Sequence, residues 1–277
     1  MAAESAAEMT MTAFLGNPDQ PTIRNAIHST EGAREYGYQA ALVGGVTVFG
    51  WATPLILEHV GATWMDHGWA ELEFRRPTYP GDEITIALAS DEPGTWTLQI
   101  RGEDGHDRVR GELGLGNAPW LDEVLLRTPF RPAEPPLPGY PRLTEEVVPV
   151  GRQLSPFGFT FTVEEAQEYA RVKQRTEDPL FAGSQPRLHP GWMAGRPPGV
   201  LHHSFDYGPA VHVRSHLQIF APAHAGQDFV TTATFREAYE RKGHQYGAYD
   251  CTTYSEDGRE LWRQRHTTIY RVAKRGE

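Results

Sequence analysis

The sequence predicts an α+β protein built from two related halves, each a central helix followed by a run of antiparallel strands. Three observations predict it. Residues 72–84 (LEFRRPTYPGDEI) and 217–229 (LQIFAPAHAGQDF) repeat Leu, Pro, Gly and an acidic residue at a constant offset of 145. Each copy leads to a Glu-Asp-Gly turn, at Glu103-Asp104-Gly105 and at Glu256-Asp257-Gly258. In both halves, turn signals separate short runs of β-forming residues at regular intervals. A chain of 277 residues has room for two ordinary domains. One helix followed by several antiparallel strands is the pattern of a sheet that curls around its helix.

Taken in order, the first fourteen residues carry two Glu and lack both a basic leader and an apolar core, so they do not read as a signal peptide. After Gly44-Gly45 the run VTVFGWATPLILEHVG is apolar on nearly every face and ends at Gly61, a natural C-cap, which predicts a buried helix. The apolar stretch over 42–57 is interrupted by Gly, Thr, Trp and Pro and is too short to span a bilayer. Strands are predicted at 69–74, 83–89, 95–101 and 107–115. The turns between them are Tyr79-Pro80-Gly81-Asp82, Glu92-Pro93-Gly94 and Gly102-Glu103-Asp104-Gly105.

Composition shifts between Asn117 and Gly151, where PFRPAEPPLPGYP predicts an extended connection. This divides the chain into an N-terminal half over 1–125, a proline-rich linker over 126–150 and a C-terminal half over 151–277. The second half opens with Thr162 followed three residues later by Glu165, a capping-box signature for a helix of about three turns. Strands follow at 210–220, 228–240, 244–255 and 260–271, with Lys242-Gly243 and Asp257-Gly258 as hairpin turns. Pro190, Pro197 and Pro198 rule out one continuous helix ahead of them.

Composition excludes several function classes. A net charge of −10 without runs of Lys or Arg argues against a general nucleic-acid binder. The single cysteine, Cys251, sits among β-formers and reads as a small apolar strand residue in a reducing compartment, so a cytoplasmic protein is expected, with no membrane partner. No Gly-x-Ser-x-Gly elbow, P-loop, dinucleotide glycine motif or Cys-x-x-Cys is present. Six histidines fall between His189 and His224, but spacing argues against a metal site. His212 and His216 are four apart in a strand, about 13 Å at ~3.3 Å per residue, and adjacent His202 and His203 would face opposite ways if extended. Arg75, Arg76, Arg241 and Lys242 read as solvated surface charge, with contact to an anionic ligand as the alternative.

The strongest site candidate is Asn25-x-x-His28 with Gly44-Gly45 downstream at the start of the buried helix. A neutral imidazole near pH 7 takes or gives a proton, and free N–H groups at a helix start hold a developing oxyanion. Asn25 would orient the imidazole or a water. At the matching place the second half has Asp178-Pro179-Leu180-Phe181, without a histidine, so one half is expected to carry the chemistry.

These residues carry a resemblance. Asn-x-x-His, then Gly37-Tyr38, the glycine-led helix and the Pro-Gly-Asp turn before a long strand resemble the MaoC-like hydratase/dehydratase family. Tyr169-Ala170, Glu177-Asp178-Pro179-Leu180, Leu188-His189-Pro190, Val211-His212-Val213-Arg214 and residues 239–243 resemble the C-terminal half of its double hot-dog members. The resemblance implies two tandem hot-dog halves acting on an acyl thioester of coenzyme A or a carrier protein, with no cofactor beyond that carrier. His28 would be the acid/base, Asn25 would position it, and the amides of Gly44, Gly45 and Val46 would bind the thioester carbonyl. The acyl chain would lie in a tunnel widened by the less regular second half. The family motif resembles Asp-x-Asn-Pro-x-His, and this chain has Ile23 at the Asp and Ala26 at the Pro. Glu31 and Tyr36 are the nearest substitutes for the missing carboxylate. Alternatives that follow are a thioesterase, isomerase or cyclase on a related thioester, or a non-catalytic acyl-binding partner subunit. The double unit already mimics a dimer and could pair again as a homodimer.

Overall fold

The computed structural model describes residues 7–16 and 25–273. Strand β1 (Ala7–Thr12) opens the first half, and a 3-10 turn lies at Ala26–His28. Four short helices follow: α1 (Thr30–Glu35), α2 (Gly45–Gly50), α3 (Thr53–His59) and α4 (Trp64–His67). Strands β2 (Gly68–Phe74), β3 (Glu83–Glu92), β4 (Thr95–Gly102) and β5 (Asp107–Leu115) complete the half. Helix α5 (Leu121–Val124) begins the connection to β6 (Phe157–Phe161) and α6 (Val163–Glu168). A π-helical turn at Tyr169–Gln174 and a 3-10 turn at Pro179–Phe181 lead to α7 (Pro190–Ala194) and α8 (Pro197–Ser204). Strands β7 (Val211–Ile219), β8 (Gln227–Arg241), β9 (His244–Ser255) and β10 (Glu260–Arg271) end the fold.

The ten strands of the described residues form one antiparallel sheet in the order β1-β3-β4-β5-β2-β7-β10-β9-β8-β6. The order is a palindrome: each half contributes five strands in the same internal sequence, and the halves meet where β2 pairs with β7. The offset of 145 carries Glu71 onto His216, and in the sheet these two residues face one another directly. A pseudo-two-fold axis therefore passes between them. The same offset carries Gly44, the N-cap of α2, onto His189, the N-cap of α7.

The two central helices cross in near backbone contact. A Cβ on Gly191 would lie 2.8 Å from the Val46 carbonyl oxygen and 3.0 Å from Gly50 Cα, so only glycine permits the approach. Around the crossing one hydrophobic core spans both halves, with Phe49, Ile56, Leu72 and Ile86 from the first joined to Trp192, Leu217, Phe229 and Trp262 from the second. Each fully buried side chain of this size contributes about 1.5–3 kcal/mol.

The strand ends follow the sequence reading closely, and β5, β9 and β10 coincide with it. The capping box at Thr162 forms, with Glu165 N–H donating to Thr162 Oγ1 and the Glu165 carboxylate accepting from the Thr162 N–H. Three expectations are corrected. The buried helix predicted as one piece is two, because Pro54 has no N–H to donate back to Gly50; Trp51 and Ala52 stay helical in φ and ψ, so the axis continues across the gap. His202 and His203 lie in α8 rather than in extended chain. Strands β1 and β6 were not foreseen; both are sheet edges, each paired with a single neighbour. The proline-rich stretch has little regular structure but is pinned at Thr128, whose N–H donates to Thr252 Oγ1 and whose carbonyl accepts from the Tyr254 hydroxyl. Among the described residues no helix is long and apolar enough to cross a membrane.

Replacing Gly191 with Ala should force the helices apart and lower stability by about 1–3 kcal/mol, the usual cost of overpacking. Urea unfolding of wild type and Gly191→Ala measures this; an unchanged midpoint would contradict the close crossing.

Candidate active site

A cavity of about 410 Å³ opens at the seam between the halves. The first half supplies the 3-10 turn with His28, the start of α2 and Phe74 at the end of β2; the second supplies α8, the approach to β7, and His266 and Thr268 of β10. Its position follows from the palindromic sheet, which brings the open ends of both halves together.

His28 is fixed by its own loop. Its Nδ1 lies 2.8 Å from the Leu42 carbonyl oxygen, which can only accept, so Nδ1 carries the proton. In the neutral ring Nε2 is then the basic nitrogen. Burial lowers the imidazole pKa below its ordinary value, opposed by the bond to Leu42 and aided by the charge of Lys173. The ring lies against the start of α2: a Cβ on Gly44 would be 3.8 Å from His28 Cε1.

Gly44 has no side chain to cap α2, and the N–H groups of Gly45 and Val46, first in the helix, have no carbonyl within it to reach. Both residues line the cavity. Gly45 is required by packing, since a Cβ there would come 2.4 Å from Phe74 Cδ1. The second half has closed the equivalent place. His189 caps its own helix by accepting the Gly191 N–H at Nδ1, 3.2 Å away. Phe181, the counterpart of His28 on the second 3-10 turn, packs on that imidazole at 4.7 Å between ring centroids. One half keeps an open helix start beside a base, and the other stoppers it with aromatic rings.

Asn25 has a different task from the one the motif suggested. Its Nδ2 donates to the Ala210 carbonyl at 2.7 Å and its Oδ1 accepts from the Ala210 N–H at 3.2 Å. Both ends of the amide are engaged, so Asn25 staples the turn carrying His28 to the second half instead of touching the imidazole. Glu31 is exposed in the first turn of α1 and is not among the cavity residues. Tyr36 packs in a small cluster with Ile27, Ala33 and Leu42 and is also absent from the walls. Neither replaces the missing carboxylate. Ile23, at the position where the resemblance would have Asp, lies outside the described residues. Among the described residues no Asp or Glu lines the cavity at all.

Several wall residues escaped the motif reading. Tyr38 lines the cavity next to Tyr79, and burial raises its pKa. Opposite stand Tyr207, from the loop ahead of β7, and His212, His266 and Thr268, brought together by strand register rather than by any local pattern. Arg75 and Arg76 lie exposed at the rim, with Arg75 paired to Glu73. Arg241 and Lys242 end the β8–β9 hairpin, away from the cavity walls. Among the described residues no group of three His, Cys, Asp or Glu is placed to hold a metal ion.

No family model matches the sequence, and no curated protein matches it. Solved structures do. A MaoC-like dehydratase superposes with a TM-score of 0.62 at 16% identity, covering 97% of this chain and 98% of that one. A conserved hypothetical protein of Mycobacterium tuberculosis, described as a double hot-dog fold, gives a TM-score of 0.57 at 15% identity, with 94% and 95% covered. An isomerase-inactive variant of GphF DH1 gives 0.54 at 16% identity, with 98% and 93% covered. The fold of this chain is a double hot-dog.

The buried histidines make stability depend on pH. Burial holds His189 and His212 down to about 3 and His216 to about 4, and lowers His28 and His266 as well. Each binds a proton less readily folded than unfolded, where the value is 6.5. Between about 4 and 6.5 the unfolded chain therefore holds more protons, and stability falls as pH drops through that window. Thermal unfolding at pH 7.5 and at pH 4.5 should show a lower midpoint in acid; equal midpoints would contradict the neutral burial of these rings.

Proposed function

We propose that the chain is a hydratase/dehydratase acting on an acyl thioester of coenzyme A or a carrier protein. The observation that carries this reading is the pairing of His28, locked as a neutral base through Leu42, with the uncapped N–H groups of Gly45 and Val46 in one cavity. The likeness to MaoC-like dehydratase structures supports it. In hydration, His28 Nε2 takes a proton from water as the water oxygen adds to the β carbon of an enoyl thioester. Negative charge passes to the thioester oxygen, where the Gly45 and Val46 N–H groups hold it. The imidazolium then returns its proton to the α carbon as the carbon–oxygen double bond re-forms, and His28 is neutral again. One group thus serves both proton transfers, which suits walls without a carboxylate. The exposed Arg75 and Arg76 at the rim suit a phosphate-bearing carrier.

The same wall composition favours a second reading, isomerisation, in which His28 carries a proton between two carbons of an unsaturated acyl chain. Product mass separates the two, since hydration adds one water and isomerisation adds nothing.

Wild type and His28→Ala are incubated with enoyl and 3-hydroxyacyl coenzyme A thioesters and the products analysed by mass spectrometry. The variant should lose about 10²-fold or more of the rate, the usual contribution of a general base. Equal turnover by the two proteins would refute the assignment. Because burial lowers the His28 pKa, kcat/KM should stay level as pH falls to about 6.5 and decline only in more acid solution. A decline centred above neutral pH would point to another base.

A further inference from the structure

The cavity has a second polar pole that the chemistry at His28 does not use. His266 lines it, is 1% exposed, and its Nδ1 has no hydrogen-bond partner. A buried polar atom left unpaired costs about 1–3 kcal/mol, so its retention next to a cavity points to a ligand group that completes it. The ring is held in place: it packs at a tilt on His212 at 4.0 Å between centroids and lies 5.3 Å from Tyr249. His212 is itself occupied, its Nε2 2.8 Å from Ser215 Oγ, which in turn accepts from Gln264 Nε2 at 3.0 Å. Thr268 Oγ1 donates to the Val211 carbonyl at 3.0 Å and keeps a lone pair to accept. Phe74 separates this pole from the helix start, packing on Gly45 on one side and on His212, 4.2 Å away, on the other.

We propose that His266, with Thr268, is a specificity subsite for a hydroxyl group carried on the acyl chain, distinct from the carbon atoms that react at His28. The proposal rests on the reading of the cavity as an acyl-thioester site. A neutral imidazole offers one donor and one acceptor, and Thr268 adds an acceptor; a hydroxyl, which both gives and accepts, matches that set. A carboxylate suits it less, because among the described residues the cations that line the cavity are Arg75 and Arg76, which lie exposed at the rim, and Arg108, which is paired with Asp104. A plain alkyl chain would bury the His266 nitrogen against methylene groups and leave it unsatisfied.

Isothermal titration calorimetry tests this with saturated, unreactive coenzyme A thioesters of hexanoyl, octanoyl and decanoyl chains. Each is compared with counterparts bearing a hydroxyl or a keto group at successive positions beyond the β carbon. At least one hydroxylated counterpart should bind wild type about tenfold more tightly than its alkyl parent, a gain typical of one completed buried hydrogen bond. His266→Phe, which keeps the ring and removes the polar atoms, should bring that ratio to within about twofold, and His266→Gln, which restores a donor and an acceptor, should recover part of it. Alkyl parents that bind as tightly as every hydroxylated counterpart, or a preference that survives His266→Phe, overturn the subsite alone. A preference for keto over hydroxyl chains overturns the hydroxyl assignment. Failure of every thioester to bind wild type overturns the acyl-site reading and the subsite with it.

Discussion

The pairing of β2 with β7 is the constraint on which the rest of the molecule depends. Five aligned residue pairs, centred on Glu71 and His216, weld two half-sheets into one and set the halves about a pseudo-two-fold axis. His216 Nε2 lies 3.3 Å from a Glu71 carboxylate oxygen, so the axis itself is marked by a polar contact. Burial nonetheless keeps the imidazole neutral, so the contact is a polar one within a packed seam more than an ion pair. From this register follow the crossing of α2 with α7, the shared core and the placement of the cavity between the halves.

Within that symmetric frame the two helix starts have diverged by small changes with opposite effects. Gly44 leaves α2 uncapped, whereas the imidazole of His189 satisfies α7. His28 is tied through one of its two ring nitrogens, whereas Phe181 has none to offer. The closed site contributes rigidity: Tyr169 and Phe181 pack on His189, and Tyr169 also bonds Gln174 beneath Gly50. Filling one site steadies the helix crossing that shapes the other.

Much of this was legible in the chain. The offset of 145 located the symmetry axis and the paired helix starts, because the segment from Gly44 to Ile84 and that from His189 to Phe229 match without an insertion between them. His28 and Gly44-Gly45 were legible as well, since a helix start and its neighbouring loop are close in sequence. The far wall was not. His212 stands opposite Thr268 and Ser215 opposite His266 only through the β7–β10 register, which shifts at a bulge between Thr267 and Thr268. No local pattern encodes such a meeting. The task of Asn25 was hidden for the same reason, as its partner Ala210 lies in the other half. Edge strand β1 reads AEMTMT, and its alternation of half-buried and exposed positions gains meaning only from its neighbour β3. The break in the central helix, by contrast, was written in Pro54 and required only the accounting of one missing donor.

The two bonds between Asn25 and Ala210 carry an evolutionary consequence. A symmetric ancestor made of two identical chains would have had to form every such contact twice. Here the turn that holds His28 leans on a backbone segment belonging to the half that carries Phe181 in the equivalent place. Each half is thereby part of the environment of the other, and a half paired with a copy of itself would lack that support. Within one chain such a contact is needed only once, and the two unlike halves are inherited together.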